Sequence, residues 1–226
     1  MKQNNLVTTA RITGSWYLLL AISGILGFGV FHSKIFITGD TGKTLTNLTE
    51  QVTTARIRLV LELLIIASQA LSAVWFYKLL NRINGWAAFA LAGWGLMNCA
   101  AIMVSAIAMG AAIQVANVAT LPFQEKIIII QLLSSVIANA WVVGGLFFGL
   151  WLLPMGYVIV TSKRMPLWLG WTLIIGGVGY IVSTFLNCIG FSNAFVNSLT
   201  IPATIGEFWM IGYLLMYGIR PEKPIE

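Results

Sequence analysis

The chain alternates between long apolar stretches and short polar ones. Six apolar stretches approach or exceed the roughly 20 residues that an α-helix needs to cross a bilayer. The pattern therefore predicts an all-α fold, a polytopic transmembrane bundle of six helices, forming a single transmembrane domain over residues 1–226. The predicted spans run from about Trp16 to Phe31, Ile57 to Leu80, Trp86 into the 110–119 region, Ile127 to Val160, Leu167 to Ile189 and Ala203 to Ile219.

The fourth apolar stretch, from Ile127 to Val160, is too long for one upright span. At 1.5 Å per residue it reaches on the order of 50 Å as a helix. Two interpretations follow. Either this helix projects beyond the bilayer, or it bends at Pro154 or at the Gly144-Gly145 pair, since sharp kinks occur at such residues.

The first outer loop, from His32 to Thr54, has a pattern of its own. Asp40 stands where a helix N-cap is expected, directly before Thr41. Apolar residues then recur at helical spacing among polar ones. We expect a short amphipathic helix that begins near Thr41 and lies over the outer ends of the bundle. Its apolar positions are Leu45, Leu48 and Val52.

Composition supports the membrane assignment. Hydrophobic residues make up 58% of the chain and charged residues 9%, whereas a soluble domain carries about 25% charged residues. This excludes a soluble domain, a disordered tail, a coiled coil and a nucleic-acid-binding domain, so the expected partners are the lipid bilayer and a small ligand, not nucleic acid.

The net charge of +6 is explained by topology, because cytoplasmic loops of membrane proteins are enriched in Lys and Arg. More of the basic residues fall on the side of the two termini than on the other side. The sequence thus predicts a cell (inner) membrane protein with both termini cytoplasmic. The basic residues on the predicted cytoplasmic side are Lys2, Arg11, Lys78, Arg82, Lys163, Arg164, Arg220 and Lys223.

Metal and cofactor chemistry has little support. The chain has one histidine, His32, and two cysteines, Cys99 and Cys188. A three-histidine zinc site and a bis-histidine haem are therefore impossible within one chain, and the H-E-x-x-H motif is absent. We expect no metal site, no cofactor and no catalytic residue, and free thiols rather than a disulfide.

Two acids, Glu62 and Glu207, lie inside predicted spans. An ionisable group at that depth is costly unless it is paired or faces water, so each is a candidate functional residue. Arg58 lies one helical turn before Glu62. The structural alternative is that each acid bonds a neighbouring helix or, for Glu62, Arg58.

Uncharged polar residues extend this pattern to the outer halves of further spans. Together with the two acids they suggest an outward-facing polar pocket under the loop helix. The alternative is ordinary hydrogen bonding between helices, at about 0.6 kcal/mol per contact. The candidate pocket residues are Glu62, Glu207, Asn98, Asn139, Arg58, Ser183, Asn187 and His32.

Several stretches, in the same order over most of the chain, resemble a prokaryotic membrane family known as domain of unknown function 4386. The resemblance implies a six-helix fold in a prokaryotic cell membrane, and the family offers no established catalytic residues. The stretches are Ala10 to Gly14, Tyr17 to Leu20, Ser23 to Ile25, Gly39-Asp40, Phe147 to Tyr157, Pro166 to Gly170 and Gly176 to Tyr180.

Three functions remain open. The first is a non-enzymatic protein that binds or moves a small amphipathic or lipid-like ligand in the outward-facing pocket. The second is a structural or partner-binding subunit that uses glycine-rich helices as docking faces. The third is an intramembrane enzyme with Glu62 and Glu207 as an acid/base pair, which lacks a nucleophile or metal cluster to support it.

Overall fold

The computed structural model describes residues 3–220, so Lys2 and Lys223 lie outside the described residues. This part of the chain is helical and contains no β-strand. The helices are α1 (Gln3–Gly24), continued by a π-helical segment (Ile25–His32), α2 (Ser33–Ile35), α3 (Thr41–Glu50), α4 (Val52–Leu80), α5 (Gly85–Asn117), α6 (Phe123–Ser162), α7 (Leu167–Cys188), α8 (Ala194–Ser198) and α9 (Ile201–Met216).

Six helical segments within residues 3–220 are long and apolar enough to cross a membrane, which confirms the predicted transmembrane helical bundle. Two of them are composite. The first, Asn5–Ile35, joins α1, the π-helical segment and α2, and the last, Ala194–Met216, joins α8 and α9. The fourth, α6, is one helix of 40 residues that contains Pro154. At 1.5 Å per residue its length is about 60 Å.

The predicted loop helix is confirmed as α3, which begins at Thr41. The Asp40 carboxylate accepts a hydrogen bond from the Lys43 backbone N–H at 2.8 Å, the bond that defines an N-cap. Leu45 and Leu48 are buried. The prediction extended too far at its end: α3 stops at Glu50, and the apolar residue after it begins α4.

The chain divides into two compact units. The first unit comprises Met1–Leu18, Ser68–Cys99 and Val142–Glu226, and the second comprises Leu19–Ala67 and Ala100–Trp141. That residues 1–226 act as a single domain stays a prediction.

Glycines set the close helix packing of the first unit. A Cβ atom added at Gly149 of α6 would lie 2.6 Å from the carbonyl oxygen of Gly177 in α7. Likewise, a Cβ atom at Gly176 would clash with the backbone of Ala203 in α9. Small residues at these positions allow the backbones to approach, as is common in membrane helix packing.

The second unit is organised around a continuous apolar core. It joins residues of α2 and α3 to the adjoining parts of α4, α5 and α6, so the loop helix is held by burial as well as by its cap. The buried members are Ile35, Leu45, Leu48, Ala55, Ala108, Met109, Ala112, Ile113, Ala116, Ile130 and Ile137.

Candidate functional site

A cavity of about 500 Å³ lies within the second unit. Its walls are the end of the first span, the turn that leads into α3, the first residues of α3 and one face of α6. Most of the side chains that line it are polar and uncharged. They are His32, Ser33, Phe36, Ile37, Thr38, Gly39, Thr41, Thr44, Gln131, Ser134, Ser135 and Ala138.

His32 is the last residue of the π-helical segment, and its imidazole is held between two aromatic rings. It stacks on Phe28 at 5.1 Å and on Phe36 at 4.9 Å between ring centroids. Its Nδ1 atom is buried and has no hydrogen-bond partner within residues 3–220. The stack therefore fixes a polar ring at the cavity wall with one hydrogen-bonding atom unused.

Hydroxyl groups form the opposite wall, and their hydrogens are engaged by the backbone. The Ser134 hydroxyl donates to the Ile130 carbonyl at 2.7 Å, and the Ser135 hydroxyl donates to the Gln131 carbonyl at 3.0 Å. These bonds are made within α6 itself. The two serine oxygens keep their capacity to accept hydrogen bonds.

Arg58 and Glu62 form an ion pair in the second unit, with exposed fractions of 0% and 1%. Trp141 Nε1–H points toward both Glu62 Oε1, at 3.2 Å, and Ser105 Oγ, at 3.1 Å. The Arg58 guanidinium also lies 4.8 Å from the centroid of the Phe28 ring, the ring that stacks on the cavity histidine. Arg58 therefore packs against the aromatic stack, and neither residue of the pair lines the cavity.

Glu207 lies in the first unit, where the Tyr17 hydroxyl donates a hydrogen bond to its Oε1 atom at 2.6 Å. Tyr17 is buried, and its ring packs edge-on against Phe76, at 5.5 Å, and Trp151, at 5.8 Å, between centroids. This acid is thus bound to a rigid aromatic cluster by a short hydrogen bond.

The other predicted pocket residues have different surroundings. Asn98 is fully buried, and its amide has no hydrogen-bond partner in the described part of the chain. Asn187 donates to the Ser183 carbonyl at 2.9 Å. Asn139 is exposed rather than buried and donates to the Ser135 carbonyl at 2.8 Å. Its amide nitrogen is thus satisfied by the backbone of its own helix.

Of the eight predicted pocket residues, His32 alone is among those that line the 500 Å³ cavity of the second unit. That the others bind a ligand stays a prediction. Sequence reasoning missed the polar face of α6, although its spacing was visible: Gln131, Ser134 and Ser135 fall three and four residues apart, on one side of a helix. It also missed Tyr17 as the partner of Glu207.

The two cysteines do not form a disulfide: Cys99 is buried and Cys188 is exposed. Among the residues with described positions, no three His, Cys, Asp or Glu side chains are grouped as metal ligands.

A family model described as a domain of unknown function, DUF4386, matches residues 12–218. This is most of the chain, so the chain belongs to that family, as the resemblance of its sequence stretches indicated. No curated protein and no solved structure gives a significant match.

Proposed function

We propose that this chain is a non-enzymatic, multi-pass protein of a prokaryotic inner membrane that binds a small amphipathic or lipid-like ligand in the cavity of the second unit. The observation that carries the proposal is the cavity itself. Its volume of about 500 Å³ falls within the range of roughly 300–1,000 Å³ usual for small-molecule sites. Its wall combines the stacked rings of His32 and Phe36 with hydroxyl groups, which suits a ligand with both an apolar and a polar part.

The test measures the lipids and amphiphiles that stay bound to the purified full-length protein, by mass spectrometry. Ser134→Phe places a ring on the cavity wall, and the wild-type protein is expected to retain a bound amphiphile that this variant loses. Leu132→Phe is the matched control, because Leu132 is on the same helix and 63% exposed. If the wild-type protein and Ser134→Phe retain the same amphiphiles in the same amounts, the cavity does not hold a ligand.

The partner-binding alternative relied on the glycine-rich helices as docking faces. In the first unit these glycines already pack against neighbouring helices. A Cβ atom added at Gly156 would lie 2.5 Å from the carbonyl oxygen of Gly170. Gly149 and Gly177 meet in the same way. Because this surface is occupied inside the unit, it does not favour an external partner over a ligand.

The enzyme alternative relied on Glu62 and Glu207 acting together. Glu62 is paired with Arg58 and approached by Trp141, whereas Glu207 is bonded to Tyr17. The two acids belong to different units. Each has a partner that accounts for its presence in a span, so neither needs a catalytic role as an explanation.

The proposed orientation places both termini in the cytoplasm and the cavity on the outer side, next to the first outer loop. Its support is the excess of basic residues on the side of the termini. The test labels single cysteines in intact cells with a membrane-impermeant maleimide, in a Cys188→Ser background because Cys188 is exposed. Thr46→Cys, at an exposed position on α3, is expected to react in intact cells. Lys163→Cys is expected to react only after the cells are lysed. The reverse pattern would contradict the orientation.

A further inference from the structure

The hydrogen-bonding state of the cavity wall restricts what it can bind. A hydroxyl group has one hydrogen to donate and two lone pairs to accept with. The hydrogens of Ser134 and Ser135 are engaged by carbonyl groups of α6. Thr44 donates to the Asp40 carbonyl at 3.1 Å while accepting from the Ile37 N–H at 2.9 Å. The oxygens of Ser134 and Ser135 therefore still offer lone pairs, to which a ligand hydroxyl can donate.

The distribution of charged residues around the cavity also favours an uncharged ligand group. No Lys, Arg, Asp or Glu side chain is among the residues that line it. Asp40 stands between the lining residues Gly39 and Thr41, and its carboxylate already occupies the N-terminus of α3. A helix N-terminus otherwise attracts anions, so this carboxylate repels a phosphate from the edge of the cavity where Thr41 lies.

The cations nearby offer little compensation. Arg58 is buried and paired with Glu62. Lys34 lies 5.5 Å from the centroid of the Phe31 ring and does not line the cavity. Lys43, three residues after Asp40, is exposed. An anionic headgroup in the cavity would therefore need the Lys43 side chain as its ion-pair partner.

We propose that the cavity selects an amphiphile with an uncharged, hydroxyl-bearing headgroup, of the acylglycerol type, and discriminates against the corresponding phosphate. This inference rests on the proposed function and adds the class of its ligand. The hydroxyl groups of the ligand donate to the serine oxygens of α6, and the stacked rings of His32 and Phe36 provide the apolar side.

The experiment compares two probes that share a glycerol and an oleoyl chain and differ by one phosphate: monooleoylglycerol and oleoyl lysophosphatidic acid. Each is titrated into the full-length protein in an uncharged detergent and followed by native mass spectrometry. We expect monooleoylglycerol to bind more tightly by about tenfold or more, since one unfavourable charge contact of about 1.4 kcal/mol gives that ratio. Asp40→Asn keeps an N-cap side chain but removes the charge, and should reduce the preference severalfold.

Three variants make the outcomes distinguishable. Ser134→Phe should weaken monooleoylglycerol binding by about tenfold or more, whereas Leu132→Phe should not change it. If lysophosphatidic acid binds as well as or better than monooleoylglycerol and Ser134→Phe removes both, the cavity holds a ligand but the headgroup proposal is overturned. Loss of that lysophosphatidic acid binding in Lys43→Gln would identify the recruited cation. If Ser134→Phe leaves the binding of both probes unchanged, the proposed function itself fails.

Discussion

The buried pair of Arg58 and Glu62 gives the sharpest test of whether an intramembrane charge in this chain is structural. The exposed fractions of the two side chains are 0% and 1%. Glu62 is the acceptor for Arg58 Nη1, whereas Arg58 Nε and Nη2 are buried without a hydrogen-bond partner in residues 3–220. Replacing Glu62 by Leu therefore leaves a buried guanidinium whose charge nothing in the pair neutralises.

The expected magnitude follows from this geometry. Removing one partner of a buried ion pair costs about 3–5 kcal/mol, whereas replacing both partners by apolar residues is often neutral. We expect Glu62→Leu and Arg58→Met each to lower the free energy of unfolding by an amount in that range. The double variant, Arg58→Met with Glu62→Leu, should lose less than either single variant. Trp141 Nε1–H also points toward Ser105 Oγ, at 3.1 Å, so it retains an acceptor when the Glu62 carboxylate is removed.

The assay is equilibrium unfolding of the purified protein in mixed micelles, analysed as a double-mutant cycle. Glu50→Gln is the control, because Glu50 is exposed at the end of α3 and its replacement should change the free energy of unfolding by less than about 0.5 kcal/mol. If the double variant loses the sum of the two single losses, the residues are not energetically coupled. If the single variants are as stable as the control, the pair does not stabilise the fold and a ligand-binding role for Glu62 gains support.

Two further predictions concern the first unit. Gly95→Ala would place a Cβ atom 2.5 Å from Trp151 Cε3 and should destabilise the protein by about 1–3 kcal/mol through overpacking. Gly93→Ala, with no atom within 4 Å of the added Cβ, should instead stabilise the protein by up to about 1 kcal/mol through helix propensity. Equal midpoints of thermal unfolding for Gly95→Ala and Gly93→Ala would contradict the predicted clash with Trp151. Glu207→Gln keeps an oxygen acceptor for the buried Tyr17 hydroxyl, whereas Glu207→Leu leaves that hydroxyl unsatisfied at a cost of about 1–3 kcal/mol. Equal thermal stability of the Gln and Leu variants would show that this hydrogen bond does not hold the acid in place.

The fold could be predicted where the sequence records a local cause. The length of the apolar stretches determines how many helices can cross a bilayer, and Asp40 determines where α3 begins. The π-helical segment Ile25–His32 could not be predicted, because its apolar sequence is equally compatible with an α-helix. The boundary between α3 and α4 was missed for a similar reason: Val52 continues the apolar spacing of α3, although the helix ends before it.

The partners of the intramembrane acids show where local pattern stops being informative. Glu62 and Arg58 are four residues apart, so helical geometry alone brings them together, and the structural alternative already named this pair. Tyr17 and Glu207 are 190 positions apart. Nothing in the spacing of polar residues selects Tyr17 over another residue of the first span, since this choice depends on how distant helices pack.

The position of the cavity follows from a difference between charged and uncharged polar residues in a span. A buried charge is so costly in the bilayer that a stable fold supplies it with a partner, as Arg58 does for Glu62. Serine and threonine carry a smaller penalty, because each can donate to a carbonyl of its own helix, as Ser134 and Ser135 do. Such residues need no partner on another helix, so they can line open space. In this chain the buried pair of Arg58 and Glu62 therefore lies in closed packing, and the self-satisfied hydroxyl groups of α6 line the cavity in which we propose that a ligand binds.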